Sequence, residues 1–459
     1  MYKTTFAKEF IAVVIEKKYN IIDMETGKLD PNIFIDEAIY QEELEKIFGR
    51  AWLMIGHESL VPNTNDFFHT YMGEDPVILT RDNNGELPAM LNMCRHRGNR
   101  IIRADDGNAK NFMCTYHGWT YSSDGSLEHV PGEERVYFNE LDKEELGLVQ
   151  ARVDTYAGIV FATWDHEAPT LEEYLGDERW YLDTLFNRKD CGTAVLGPVK
   201  WMEPVNWKTP VDNCSDNYHV PVTHLGSMLA QEKVMGRPRL TGEMQFYTEY
   251  HTHLSINGHQ ITTGYLLEED DPRYFHGTTA DNIHIFKDYQ RESLPEVERR
   301  LGSHRARKLI LQNHSLFPNG VLGLRLALPR GPLMTEFWHF VTYEADAPPV
   351  MADALRWGHG GANGAAGTFE QDDIDNWRSV TEAAKTPIAR KFLNNLSAGV
   401  GRFGQRDDYP GLVSDRYVSE HNQRHYYKRW QDFMNADSWA DIPLDQQTAI
   451  YEGDAGLHG

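Results

Sequence analysis

Two segments gather the residues able to hold metal. In "NMCRHRGNRIIRADDGNAKNFMCTYHGW", residues 92–119, Cys94 is followed by His96 and Cys114 by His117, using two of the chain's four cysteines. In "NWKTPVDNCSDNYHVPVTH", residues 206–224, Asp216 and His219 stand three apart and His224 follows five later. Thiolates with imidazoles bind zinc or iron, and imidazoles with a carboxylate suit a mononuclear transition metal.

A structural zinc finger ordinarily takes two cysteines from one loop and two histidines from the other. Here each loop contributes one of each. That arrangement suits a [2Fe–2S] cluster with two thiolates on one iron and two imidazoles on the other, the imidazoles raising the potential of the iron that accepts the electron. Gly98 and Gly118 follow the ligand loops, where backbone N–H groups can turn toward the cluster sulfurs. With the flanks "CRHRGNR" and "CTYHGWTYSSDG" the segment resembles a Rieske cluster-binding module.

In the second segment Asp216 and His219 would share one face of a helix. His224 would leave that face unless Pro221 distorts the helix and lets both imidazoles converge. Two histidines and one carboxylate make the facial triad of non-haem Fe(II), with three positions left open. The carboxylate need not be near in sequence. "GTFEQDDIDNW" offers Glu370, Asp372, Asp373 and Asp375 at the start of a helix, where a run of acids is ordinarily solvated and favoured by the helix dipole.

These residues need elements to position them. The 459 residues exceed one ordinary domain, and 41% hydrophobic content argues for a folded protein. "NIIDMETGKLDPNIFIDEAIY" is a turn-rich arm leading into the helix-like "QEELEKIFGRAW". From about residue 52 to 155, short apolar runs alternate with turn chemistry such as "DNNG" and "SSDG", which predicts an all-β module with the ligand loops at strand ends. Beyond it, "TLEEYLGDERWYLDTLF" reads as one helix, while "TEYHTHLSI", "GVLGLRLAL" and "PLMTEFWHFVTYEA" read as strands, the last two joined at "PRG". "GHGGANGAAG" reads as a flexible glycine-rich loop ahead of a helix from "TFEQDD". The expected class is α+β: a small all-β domain (52–155) inserted near the N-terminus of a larger domain (156–459) with an antiparallel sheet flanked by helices. The arm and first helix (1–51) go with the larger domain.

The net charge of −24 disfavours nucleic acid and anionic membranes. No apolar run nears the roughly 18 residues that span a bilayer, and "FIAVVIEKK" is too short for a secretory signal. A cytoplasmic protein is expected, where a Cys/His cluster means metal rather than disulfides. His251 and His253 are expected to face solvent or a polar cavity. The basic "VERRLGSHRARK" reads as a solvated helix or a docking face for an acidic ferredoxin. Cys191 and Cys214 have no companion at ligand spacing, and Cys214 is expected to pack near the site.

Most of the chain resembles the large (α) subunit of Rieske-type aromatic ring-hydroxylating oxygenases, a family that includes biphenyl, naphthalene, phenylpropionate and benzoate dioxygenases. "IFGRAWLMIGHES", "DFFHTYMGEDPV", the cluster loops, "GDERWYLD", "NWKTPVDNCSDNYHV" and "FEQDD" carry the resemblance. It implies Cys94, His96, Cys114 and His117 as ligands of a Rieske [2Fe–2S] cluster, and His219, His224 and Asp373 as ligands of mononuclear Fe(II). Asp216 becomes the bridging aspartate between His219 and His117 of a neighbouring subunit. That arrangement implies an α3 ring, with α3β3 expected if a small β subunit is present. Asn217, Val220 and Phe369 would line the substrate pocket. "WKTPVDNCSD" is one residue shorter than in hydrocarbon-oxidising relatives and is more like enzymes of benzoate or salicylate, whereas "VPGEERVY" looks like the hydrocarbon group.

The expected function is that of a terminal oxygenase taking electrons from a ferredoxin or reductase. With O2 it would convert an aromatic ring to a cis-dihydrodiol. No nucleotide-binding glycine motif is present, so NAD(P)H is oxidised elsewhere. The alternatives are a Rieske monooxygenase or demethylase, an electron-transfer protein with a vestigial second site, and a zinc-stabilised binding module.

Overall fold

The structure is a computed structural model that describes residues 18–235, 252–265, 273, 275–321, 323–414 and 416–445. Within these lie two antiparallel sheets of unequal character. The first has seven strands in the order Leu53–His57, Ile159–Thr163, Gln150–Tyr156, Ala89–Leu91, Asp75–Thr80, Asp66–Met72 and Asp106–Asn108. A separate three-stranded sheet, Asn111–Met113, Thr120–Ser122 and Leu127–His129, lies beside it in sequence. "SSDG" makes the turn between the last two: Gly125 N–H donates to the Ser122 carbonyl, and Ser122 N–H to that of Ser126.

The second sheet has eight strands, ordered Thr193–Glu203, Thr335–Glu344, Leu324–Pro329, Gly320–Val321, Leu309–Leu316, His259–Tyr265, Thr252–Ile256 and Leu412–Ser414. All its pairings are antiparallel, and "PRG" turns the chain from Leu324–Pro329 into Thr335–Glu344. The helices Ile283–Arg307, Pro349–Asn363, Thr368–Ala384 and His421–Asn435 accompany it, which is the expected α+β class. Aromatic rings join the two sheets. Phe68 and Tyr71 each meet the Trp338 ring edge-on at 5.9 Å.

The N-terminal arm does not stand apart. Ile22–Asp23 and Lys28–Leu29 form a further small sheet with Asn394–Asn395, the fourth among the described residues. Tyr19 and Ile21 donate their amides to Asn435 and Gln431 of the helix His421–Asn435. The following helix carries Glu43, fully buried, which accepts from the Trp207 and Trp430 indoles and from the Lys208 ammonium at 2.6 Å. A buried charge of this kind is tolerated only when it is fully partnered.

Several elements differ from their expected form. "TLEEYLGDERWYLDTLF" is two helices, Leu171–Leu175 and Glu178–Phe186, because Gly176 turns to φ +52° between them. Thr170 opens the first with a capping box to Glu173. The glycine-rich "GHGGANGAAG" is not a flexible loop: its first half completes the helix Pro349–Asn363, and a tight turn leads to Thr368. Gly358 belongs in that helix because a Cβ there would stand 1.5 Å from the His276 carbonyl oxygen. Glycine here costs about 1 kcal/mol of helix propensity. In return the turn Phe275–Gly277 lies directly on the helix.

The basic stretch 297–308 ends the helix Ile283–Arg307, and its arginines are engaged. Arg299 and Arg300 pair with Asp190, Arg307 pairs with Glu298, and Arg305 is buried beside Asp183 and Trp180. His251 lies outside the described residues, as does the side chain of His253. Among the described residues no helix is long and apolar enough to cross a membrane.

Candidate metal centres

The two cysteine loops are built alike. Cys94 N–H donates to the Asn99 carbonyl and Gly98 N–H to the Cys94 carbonyl, both at 2.9 Å. Cys114 N–H donates to the Trp119 carbonyl at 2.8 Å, and Gly118 N–H to the Cys114 carbonyl at 2.9 Å. Gly98 and Gly118 hold φ near +72° and +75°, which closes each loop. Their own amides serve the cysteine carbonyls. The amides that face sulfur belong to His96, at Cys94, and to Tyr116 and His117, at Cys114.

Both thiols are buried and form no disulfide, and the His96 and His117 rings meet at 4.4 Å between centroids. His96 also stacks on Trp119 at 5.1 Å, nearly parallel. Tyr121 Oη accepts the Arg95 amide and lies 3.4 Å from Cys94 Sγ, so its own proton is free to donate to the sulfur. Burial pushes the Cys94 thiol up. At Cys114 burial is outweighed by the Tyr116 amide, the Asn99 side chain and the neighbouring thiol, which hold it below the usual value. Two buried sulfurs and two adjoining imidazoles, one of each per loop, fit the donor set of a Rieske cluster.

The second constellation is brought together as well, but not on one helix. Asn206 starts it: its side chain accepts the Lys208 amide and donates to the Pro332 carbonyl, fixing the short helix Lys208–Asn213. The chain then leaves the helix, and Asp216 sits in a turn. Its Oδ1 accepts both the amide of His219, at 3.2 Å, and that residue's Nδ1–H, at 2.8 Å. The spacing of three is that of a side chain bonding back to a turn, not of a helix face. His219 and His224 flank a four-residue helix, Val220–Thr223, with Pro221 near its start.

His219, His224 and Asp373 each offer a ligand atom, and these atoms lie within 4.8 Å of one another. His219 Nδ1 is held by Asp216, and His224 Nδ1 faces Asp372 Oδ2 at 3.2 Å. Each Nε2 is left toward Asp373 Oδ1, at 3.9 Å from His219 and 3.3 Å from His224. That oxygen is buried and accepts no hydrogen bond among the described residues. The residues thus fit a metal: two imidazoles oriented by carboxylates, and a buried carboxylate oxygen otherwise orphaned. At His219 burial opposes protonation, but Asp216 and Asp373 outweigh it and raise the imidazole's pKa.

The acids of "FEQDD" are therefore not one solvated run. Glu370 and Asp373 are buried, and Asp372 orients His224. Glu370 pairs with Arg325 at 2.8 Å, and burial with the nearby Asp373 charge pushes its pKa up to about 7 against that guanidinium.

Of the residues expected in the pocket, Phe369 lies 4.7 Å from the His224 ring. Val220 opens the four-residue helix, and Asn217 is bonded to Gln312 and Asn313. Cys214 is buried nearby and Cys191 is exposed. Residues that sequence reasoning missed surround the same place. Gln423 donates to Asp216 Oδ2 at 2.9 Å from 207 residues away, and His276, His339 and His359 cluster beyond Phe369. Asp372 alone had a local signal, as the neighbour of Asp373.

Comparison with known proteins covers the two segments that carry these residues. Residues 51–153 match the Rieske [2Fe-2S] domain, and 171–436 match the catalytic domain of the ring hydroxylating alpha subunit. The chain is 40% identical to biphenyl 2,3-dioxygenase subunit alpha of Rhodococcus jostii, covering 92% of each chain. It is 36% identical to benzene 1,2-dioxygenase subunit alpha of Pseudomonas putida, over 91% of this chain and 94% of that one. The structure of naphthalene 1,2-dioxygenase with indole in its active site superposes with a TM-score of 0.85 at 30% identity, covering 93% of this chain and 96% of that one. The protein belongs to the α subunits of Rieske-type ring-hydroxylating dioxygenases, oxidoreductases that carry a [2Fe–2S] cluster and a mononuclear iron.

Proposed function

We propose that this chain cis-dihydroxylates an aromatic ring: arene, O2, two electrons and two protons give a cis-dihydrodiol. Bound to these residues, the mononuclear iron supplies O2 activation and the cluster supplies the electrons. Cys94, His96, Cys114 and His117 hold the cluster, and His219, His224 and Asp373 hold the iron. The observation that carries the reading is the convergence of two carboxylate-oriented imidazoles on one orphaned carboxylate oxygen.

The remaining roles follow from what each side chain touches. Asp216 positions His219 through Nδ1 and, in the assembly, bridges to His117 of a neighbouring subunit in an α3 ring, with β subunits completing α3β3. Gln423 keeps the bridging carboxylate aimed by taking its second oxygen. Asp372 does the same service for His224. Phe369, Val220 and Asn217 flank the place where the ring sits, and the apolar members keep water away from it. Electrons come from a ferredoxin or reductase. Residues 1–51 and 156–459 form the catalytic unit, and 52–155 form the Rieske domain.

The test is turnover of the iron-loaded protein with a reductase system on naphthalene, biphenyl, benzoate and cinnamate. A vicinal cis-diol from one of these, with three irons and two sulfides per chain, is expected. A phenol or dealkylated product, or two irons per chain, contradicts the reading.

A further inference from the structure

Asp216 lies between the helices Lys208–Asn213 and Val220–Thr223, in a stretch that is neither helix nor strand. What holds that stretch is a set of side chains arriving from elsewhere in the chain. Its successive carbonyls are each taken by one of them. The Ser215 carbonyl accepts from the Asn422 amide at 2.9 Å, that of Asp216 from the Asn313 amide at 2.6 Å, and that of Asn217 from the Tyr417 hydroxyl at 3.0 Å. Asn422 belongs to the helix His421–Asn435, Tyr417 to the segment just ahead of it, and Asn313 to the strand Leu309–Leu316. Ser215 and Asp216 are buried, where an unpaired carbonyl is costly.

The donors are fixed in their turn. Asn313 N–H donates to Thr262 Oγ1 and the Thr262 hydroxyl donates to the Asn313 carbonyl, both at 3.0 Å, which locks the residue to the neighbouring strand His259–Tyr265. The Asn313 amide also reaches Asn217 Oδ1 at 3.1 Å. Asn422 gives a further bond to the Ile261 carbonyl, at 3.0 Å. The stretch around Asp216 is thus hung on two adjacent strands of the eight-stranded sheet. Those bonds set the backbone dihedrals on either side of Asp216, and the dihedrals set where its side chain points. With the backbone held, Oδ1 meets His219 and Oδ2 meets Gln423. A carboxylate fixed in advance has no ordering left to do when an electron passes.

We propose that Asn313 is a positioning residue for electron transfer: through the Asp216 carbonyl it holds the bridging carboxylate in the orientation that serves His219 and the neighbouring subunit's cluster. Tyr417 and Asn422 steady the same stretch at the two adjoining carbonyls. The inference rests on the reading of Asp216 as the bridge and adds the residue that aims it.

The test compares wild type, Asn313→Leu and Asp216→Asn as iron-loaded, assembled protein. Leucine keeps the size of Asn313 and removes its donors. The reduced cluster is mixed with O2 and saturating naphthalene, biphenyl, benzoate or cinnamate, and its reoxidation is followed by absorption. In Asn313→Leu the rate is expected to fall roughly tenfold, as for other supports of metal ligands, with iron, sulfide and substrate affinity unchanged. Deuterium uptake around residues 214–219 is expected to rise, because the His219 amide donates to Asp216 Oδ1, while uptake at the cluster loops stays as in wild type. A role confined to stability would lower the unfolding midpoint and leave the reoxidation rate alone. Tyr417→Phe, which loses one hydroxyl and keeps the ring, moves both readings the same way by less, and it decides if the [2Fe–2S] absorption shows that the leucine variant has not folded. Wild-type reoxidation in the variant that folds, or slow reoxidation accompanied by lost iron or weakened substrate binding, overturns the proposal. If Asp216→Asn is slow and the Asn313 and Tyr417 variants are not, the positioning role alone is removed. If Asp216→Asn also keeps the wild-type rate, the bridging reading falls with it, and a wild type that reoxidises with none of the four compounds removes the oxygenase reading as well.

Discussion

Asp373 and Asp216 are both buried carboxylates beside His219, yet they have different work. Asp373 leaves Oδ1 without a donor, whereas Asp216 has its oxygens filled by His219 and Gln423. Asp373→Ala is therefore expected to lose one iron per chain with sulfide and the cluster spectrum retained. Asp216→Asn keeps its iron and loses about 10–100-fold in activity, as for other partners of metal ligands. Iron and sulfide analysis beside turnover separates the two. At the cluster, Tyr121→Phe removes a hydrogen bond to Cys94 sulfur, worth about 1 kcal/mol and so about 40 mV in a one-electron couple. The potential is expected to fall by that order in a redox titration, and an unchanged potential would show that the Tyr121 proton points elsewhere. The cluster loops were legible in the sequence because each ligand lies within three residues of its companion. The choice of Asp373 among four acids came from family resemblance, since what tells them apart is three-dimensional: Glu370 is buried against Arg325, whereas Asp373 lies beside His219 and His224. His276, His339 and His359 carried no signal, because their distance apart in sequence is unrelated to the packing that gathers them.

The elements that aim these residues depend on one buried charge. Glu43 takes three donors, from Trp207, Lys208 and Trp430, and so ties the first helix to both the "NWK" segment and the C-terminal helix. Glu43→Ala leaves the Lys208 ammonium buried without a partner and is expected to cost about 3–5 kcal/mol. A urea titration followed by tryptophan fluorescence would register it, and a midpoint within error of wild type would refute it. The sequence announced "NWK" as a family motif but not its reason, because Glu43 is 165 residues from Lys208. Strand alternation and turn chemistry were readable, as "SSDG" and "PRG" prove. The glycine-rich segment misled because glycine favours loops by propensity, and only the approach of the His276 carbonyl explains a helical glycine at 358.

Across the whole molecule, acid stability follows from histidines buried in neutral form. His57 and His69 in the seven-stranded sheet are both held at about 4, His57 by burial and His69 by burial with the charges of Arg100 and Lys200. In the unfolded chain they titrate near 6.5. Between those values the unfolded state binds protons that the folded state refuses, so their contribution is whole above about pH 6.5 and is lost as the pH falls toward 4. Asp212 acts with the opposite sign: burial pushes its pKa up to about 7, so its contribution is lost as the pH rises from about 4 to 7. The midpoint of thermal unfolding is expected to drop between pH 7 and 5, and to drop less in His57→Gln; equal slopes in the two proteins would count against the assignment. The molecule as a whole is an electron entry site and an oxidation site on one chain, and its central claim concerns what the second does with O2. A single turnover of the reduced protein under ¹⁸O2 with a ring substrate, followed by mass analysis, addresses it directly. A cis-diol carrying two labels is the predicted result, and a product carrying one label would contradict the account.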